Sequence, residues 1–132
     1  MKFLLDTNIC IYLIRKHPHN VLKKFESCAI GEIGISSITL AELSYGVEKS
    51  QHIIQNKKAL QEFITPLEVA PFDDQASFHY GKIRAELEKK GVPIGSLDFL
   101  IAAHALSLDA KLITNNTKEF ARIKKLKLEN WV

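Results

Sequence analysis

Four carboxylates stand where apolar segments begin or end: Asp6 in FLLDTN, Glu42 in ITLAELSYG, Asp98 in PIGSLDFLIAAHA and Glu119 in TNNTKEF. A carboxylate withdrawn from water is costly, and such groups are neutralised by a proton, a basic partner or a metal ion. Gathered by the fold, these four would make a hard, oxygen-rich site for Mg²⁺ or Mn²⁺. A divalent ion there acidifies water into a nucleophile and neutralises charge developing on an attacked phosphate. That is the chemistry of phosphodiester cleavage. Thr7, Asn8, Thr114 and Asn115 are polar neighbours able to orient the ligands.

Each acid taken singly also has an ordinary structural reading. Asp6 can cap the helix that follows it. Thr39 with Glu42, and Asn116 with Glu119, match the spacing of a capping box. Asp98, just after Ser96, can sit favourably at the positive end of a helix dipole. Four such acids near one end of one sheet, two beside long apolar runs, favour the metal site.

The elements that must position them follow from apolar periodicity. Residues 3–6 read as a strand and 8–15 as a first helix. Val21, Leu22, Phe25 and Cys28 stripe a second helix. Residues 33–36 read as a strand, with Ser37 capping a helix that runs to about Lys49. A helix over 51–64 and a strand over 67–70 come next. Ala76, Tyr80, Ile83 and Leu87 mark one face of a long helix, which Gly91 and Pro93 end. Residues 97–108 are apolar nearly all round, which predicts a central, buried helix. Strands over 111–114 and 126–129 complete the pattern. Strands separated by helices predict a single α/β domain over residues 1–132, three-layered α/β/α, with a parallel sheet of four to five strands. In such sheets ligands bind beyond the carboxyl ends of the strands.

Composition sets outer bounds. The 132 residues are 46% hydrophobic, enough for one core. No apolar run approaches the roughly 18 residues of a membrane span, and MKFLLDTN is too short in its apolar part for a signal peptide. A cytoplasmic protein is expected. Cys10 and Cys28 show no metal or redox spacing and read as small reduced residues. The net charge is +3; with the four acids set aside, eleven acids face 18 bases. The densest basic stretch is Lys111, Lys118, Arg122, Lys124, Lys125 and Lys127. A basic surface beside an acidic pocket suits a polyanion, and Lys118, Arg122, Lys124 and Lys125 are candidate contacts to an RNA backbone.

Other constellations are weaker. His17 and His19 flank Pro18 in a charged loop with no third ligand nearby. His104 reads as a hydrogen-bonded core histidine. Ser36 and Ser37 have no neighbouring base in sequence, so a capping or strand-end role is expected. No glycine-rich phosphate loop is present.

FLLDTN, SSITLAELSYGVEKS, PIGSLDFLIAAHAL and TNNTKEF, in this order and spacing, resemble the PIN domain, and within it the VapC ribonuclease toxins of type II toxin–antitoxin pairs. The resemblance covers essentially the whole chain, to the closing LENWV. It implies that Asp6, Glu42 and Asp98 are the family's acidic triad. The family's fourth acid often follows the TN of the fourth strand, where this chain has Asn116, with Glu119 three residues on. Asn116 can lend a carbonyl oxygen or position water but brings no charge. The resemblance further implies a Mg²⁺- or Mn²⁺-dependent endoribonuclease acting on structured RNA such as a tRNA anticodon stem-loop. It implies a homodimer and a VapB-type antitoxin that binds operator DNA and plugs the acidic site with a basic residue. Rival classes lack parts. A haloacid-dehalogenase-type phosphatase needs Asp-x-Asp where this chain has Asp6 and Asn8. A receiver-type signalling module needs adjacent acids after its first strand. A non-catalytic PIN-like nucleic-acid-binding domain remains an alternative, against which the intact triad counts.

Overall fold

Short leucine-, isoleucine- and valine-bearing runs form the sheet in the computed structural model, which describes all of residues 1–132. The strands are β1 (Phe3–Leu5), β2 (Ile33–Ser36), β3 (Glu68–Ala70), β4 (Lys111–Ile113) and β5 (Leu128–Glu129). They pair in the order β3-β2-β1-β4-β5, every pair parallel. The helices are α1 (Thr7–Arg15), α2 (His19–Glu26), α3 (Ser37–Glu48), α4 (Ile53–Ile64), α5 (Asp74–Lys89), α6 (Ser96–Leu108) and α7 (Thr117–Phe120).

Alternate strand residues face opposite sides, which makes the sheet the middle of three layers. Leu4 and Leu112 pack with Ile83, Leu87, Phe99 and Ile101 of α5 and α6. Leu5, Ile35 and Ile113 pack with Ile9, Leu13, Val21, Leu43 and Leu60 of α1 to α4. α6 is buried along Ile101–Ala105, as its uniform apolarity predicts, although Leu97 in its first turn is 46% exposed. No helix is long and apolar enough to cross a membrane.

Three local expectations are corrected. Ser36, not Ser37, caps α3, its Oγ accepting the Ile38 N–H at 3.0 Å, while Ser37 Oγ accepts from Phe72 N at 3.0 Å. Neither capping box forms: Thr39 lies inside α3, and Asn116 makes no side-chain cap to α7. Residues 117–120 form a helical turn that apolar periodicity does not predict, because four residues carry too little of it to be read.

Chain order places the site. From β1 the chain moves outward through β2 to β3, then crosses back to lay β4 on the other side of β1. The carboxyl ends of β1 and β4 therefore flank the point where strand order reverses, the usual ligand position in an open parallel sheet. Asp6 directly follows β1, and its N–H donates to Ile113 O of β4 at 2.9 Å.

Gly34 shows how tightly β2 is seated. A Cβ there would stand 2.7 Å from the Glu68 carbonyl oxygen of β3 and would also strike the Met1 side chain. A methionine can swing aside; a paired backbone carbonyl cannot. Gly34→Ala is expected to cost about 1–3 kcal/mol through overpacking, read as a lowered urea midpoint. An unchanged midpoint would show that β2 and β3 can part without cost.

Candidate active site at the carboxyl end of the sheet

Asp6 is buried, 7% exposed, because it caps α1 directly beneath β1. Its Oδ1 accepts the Thr7 N–H at 2.8 Å and its Oδ2 accepts the Thr114 hydroxyl at 2.7 Å. Thr7 reaches in the other direction as well, its hydroxyl donating to Glu42 Oε1 at 2.9 Å from the second turn of α3. Thr39, fully buried, lies 3.5 Å from that hydroxyl. On the far side Thr114 Oγ1 accepts the Asn116 N–H at 3.0 Å, and Asn116 Nδ2 donates to Glu119 Oε2 at 3.2 Å. One unbroken string of hydrogen bonds thus runs from Glu42 through Thr7, Asp6, Thr114 and Asn116 to Glu119.

Asp98 faces this string from the first turn of α6. Burial pushes its carboxyl up to about 6, and the charges of Asp6, Glu119 and Glu42, in that order, push the same way. Asp98 therefore lies within repulsive reach of each of the other three sequence-derived acids. Burial also raises the Asp6 carboxyl, against the Thr114 and Thr7 hydrogen bonds that hold it down. The protein's four ion pairs are Lys2–Glu32, Arg84–Glu88, Lys111–Glu129 and Lys127–Asp109, so none of the four acids has a basic partner.

This donor set fits a hard divalent cation. It is all oxygen, it carries excess negative charge with no basic partner, and its Asp98 carboxyl is raised first by burial and then by the neighbouring acids. No three of the His, Cys, Asp and Glu side chains close around a single point, so a Mg²⁺ here would take one or two carboxylates directly and meet the others through its waters.

The polar neighbours divide. Thr7, Thr114 and Asn116 belong to the hydrogen-bonded string. Asn8 is exposed on α1 and Asn115 turns away, its Nδ2 toward Tyr12 Oη at 3.5 Å and its Oδ1 accepting from Asn130 at 3.2 Å. Of the basic residues, Lys118, Arg122, Lys124 and Lys125 are all exposed.

A second polar contact escaped the sequence. Ser36 Oγ lies 2.8 Å from His104 Nδ1, both side chains buried, so Ser36 does have a base beside it. Burial depresses the His104 pKa. The Pro71 backbone also hydrogen-bonds the His104 ring, which opposes the effect of burial. The pair joins the cap of α3, which carries Glu42, to α6, which carries Asp98. Nothing in local sequence could signal it, since the partners are 68 residues apart.

The raised Asp98 carboxyl has a thermodynamic consequence. A group whose folded-state pKa exceeds its unfolded value costs stability once ionised. The cost is absent below the ordinary value of 3.8, grows as pH rises toward about 6, and is complete above that. Asp98→Asn is therefore expected to raise Tm in EDTA well above pH 6 and to leave it unchanged near pH 4. Equal gains at both pH values would trace the effect to packing rather than charge.

The profile of the PIN domain matches residues 3–126. The chain is 51% identical over 132 residues to "Ribonuclease VapC2" of Rickettsia felis, covering 99% of this chain and 98% of that relative. It is 44% identical over 131 residues to "tRNA(fMet)-specific endonuclease VapC" of Shigella flexneri, again covering 99% and 98%. Among solved structures, VapBC2 from Rickettsia felis bound to a promoter DNA fragment superposes with a TM-score of 0.94, 49% identity and full coverage of both chains. With its acids at the carboxyl ends of β1 and β4, and with this likeness along its whole length, the chain belongs to the PIN-domain family, in its VapC branch.

Proposed function

We propose that this protein is the toxin of a toxin–antitoxin pair, an endoribonuclease that uses Mg²⁺ or Mn²⁺ to cut structured RNA. The observation that carries this reading is the gathering of four acids with no basic partner at one end of the sheet, tied by the Thr7, Thr114 and Asn116 hydrogen bonds and faced by Asp98. A tRNA is the proposed substrate class, initiator tRNA cut in its anticodon stem-loop being the narrowest form; the Shigella relative's name supports it.

Asp6, Glu42 and Asp98 would hold the cation, one or two of them directly and the rest through its waters. When bound, it supplies Lewis-acid stabilisation of the charge that develops on the attacked phosphate. Thr114 and Thr7 fix both Asp6 oxygens, so Asp6 is oriented before any ligand arrives. Glu119 gives Oε2 to Asn116 and keeps Oε1 free to accept a hydrogen bond from the attacking water. Lys118, Arg122, Lys124 and Lys125 would hold the RNA backbone.

The proposed partner is a VapB-type antitoxin, through which the complex reaches operator DNA; the Rickettsia complex bound to promoter DNA supports this. A groove of about 440 Å³ supports it independently. Thr7 and Glu42 line it, Ile11, Ile14, Leu43, Val47 and Leu60 make its apolar walls, and Arg15 and Lys49 also border it. Such a groove can take an amphipathic segment of an antitoxin and deliver a basic side chain to the acids. A homodimer completes the proposed assembly.

Asp6→Asn or Asp98→Asn is expected to reduce RNA cleavage to background, and EDTA to do the same to the unaltered protein. Undiminished cleavage in either variant would remove these residues from the site. Thr114→Val keeps the shape but loses the bond to Asp6. It should weaken Mg²⁺ affinity by about 10–100-fold, with activity regained at high Mg²⁺. A loss that added Mg²⁺ does not repair would mean Thr114 acts otherwise than through Asp6.

A further inference from the structure

The basic residues after α7 do not face open solvent alone. Arg122, Lys124 and Lys125 share a cavity of about 210 Å³ with His79, Lys82 and Lys90 of α5 and its C-cap. Five cations converge there against one acid, Glu86. None of the five belongs to any of the protein's four ion pairs. Ile83, Leu87 and Ile123, all buried, give the cavity an apolar wall. Like charges around a concavity with a low-dielectric wall focus a positive potential that an anion relieves.

Size narrows the anion. Pockets for whole small molecules run to roughly 300–1,000 Å³, so this cavity suits one phosphate of a longer polymer better than a complete nucleotide. Position narrows it further. Arg122 Nη1 donates to Pro93 O at 2.8 Å, tying the cavity's edge to the loop that leads into α6 and Asp98. Lys118, on α7, does not line the cavity.

We propose that this cavity is a second RNA site, holding one backbone phosphodiester away from the acids, with Lys82 and Lys90 as its distinguishing residues. The proposal rests on the ribonuclease reading and extends it to α5. The RNA is then held on the α5–α6 face of the sheet, opposite the groove along α1, α3 and α4.

The test titrates the full-length protein with a stem-loop RNA in EDTA, where the strand stays intact, over a range of KCl. Lys82→Gln/Lys90→Gln is expected to bind several-fold more weakly. The slope of log affinity against log salt should fall by about 0.7–0.9 for each phosphate no longer neutralised. Lys82→Arg/Lys90→Arg should restore the slope. Lys57→Gln/Lys58→Gln, on α4, should leave it unchanged. A Lys82→Gln/Lys90→Gln protein with the unaltered slope, when its parent binds and cleaves RNA, overturns this site and leaves the ribonuclease reading standing. A parent that neither binds nor cleaves RNA overturns both. Nuclear magnetic resonance of the His79 ring separates the remaining source: an AMP-induced shift equal to that from RNA would assign the cavity to free nucleotide and overturn the proposal.

Discussion

Carboxylate repulsion at the junction of β1 and β4 is the constraint around which the rest of the structure is organised. Asp6 cannot leave: it ends a central strand, caps α1 and is buried against Ile113 and Thr114. Its charge is tolerated because two donors point at it, the Thr7 N–H and the Thr114 hydroxyl. The same residues also set the positions of two further acids. Thr7 fixes Glu42 across α3, and Thr114, through Asn116, fixes Glu119. Asp98 alone is left without a donor, and its raised carboxyl shows where the balance is incomplete. A group that burial and three like charges drive toward neutrality is also a group that gains most from a cation.

Topology explains why this junction is available. A parallel sheet covered on both faces has its ends open, and reversal of strand order between β1 and β4 separates the helices above it. α1 and α3 leave on one face and α6 arrives on the other, so their first two turns converge on a shared space from both layers. The buried Ser36–His104 contact crosses the sheet's end just below, linking the helices that carry Glu42 and Asp98. Around this negative centre the surface is asymmetric, with an apolar groove on the α1–α4 side and a basic cavity on the α5–α6 side. In the proposed scheme the acidic centre would repel RNA until a cation is present, whereas the basic cavity would attract it at all times.

Much of this could be read from the chain. The acids stood out because charge inside FLLDTN or GSLDFLIAAHA contradicts the burial those runs demand, and strand–helix alternation fixed the layers. The missing parts share a cause. Ser36 with His104, and Asn115 with Tyr12 and Asn130, depend on contacts across the sheet that no local spacing encodes. The α7 turn is too short for periodicity; the capping box at Thr39 fails because α3 has already begun at Ser37, and the one at Asn116 because that residue, although it precedes α7, spends its amide on the Glu119 side chain and caps no backbone N–H. Asn8 was grouped with the acids by adjacency alone, yet one residue along a helix turns a side chain by about 100°, enough to face it outward.

Asp6, Glu42 and Asp98 are proposed to hold a divalent cation between them, and the proposed catalysis depends on it. Anomalous diffraction from crystals soaked in Mn²⁺ tests this most directly. A peak is expected within coordinating distance of Asp6 and at least one of Glu42 and Asp98, on the Asp98-facing side of the hydrogen-bonded string. A well-diffracting crystal with its manganese elsewhere, or with none between these acids at saturating Mn²⁺, would contradict it.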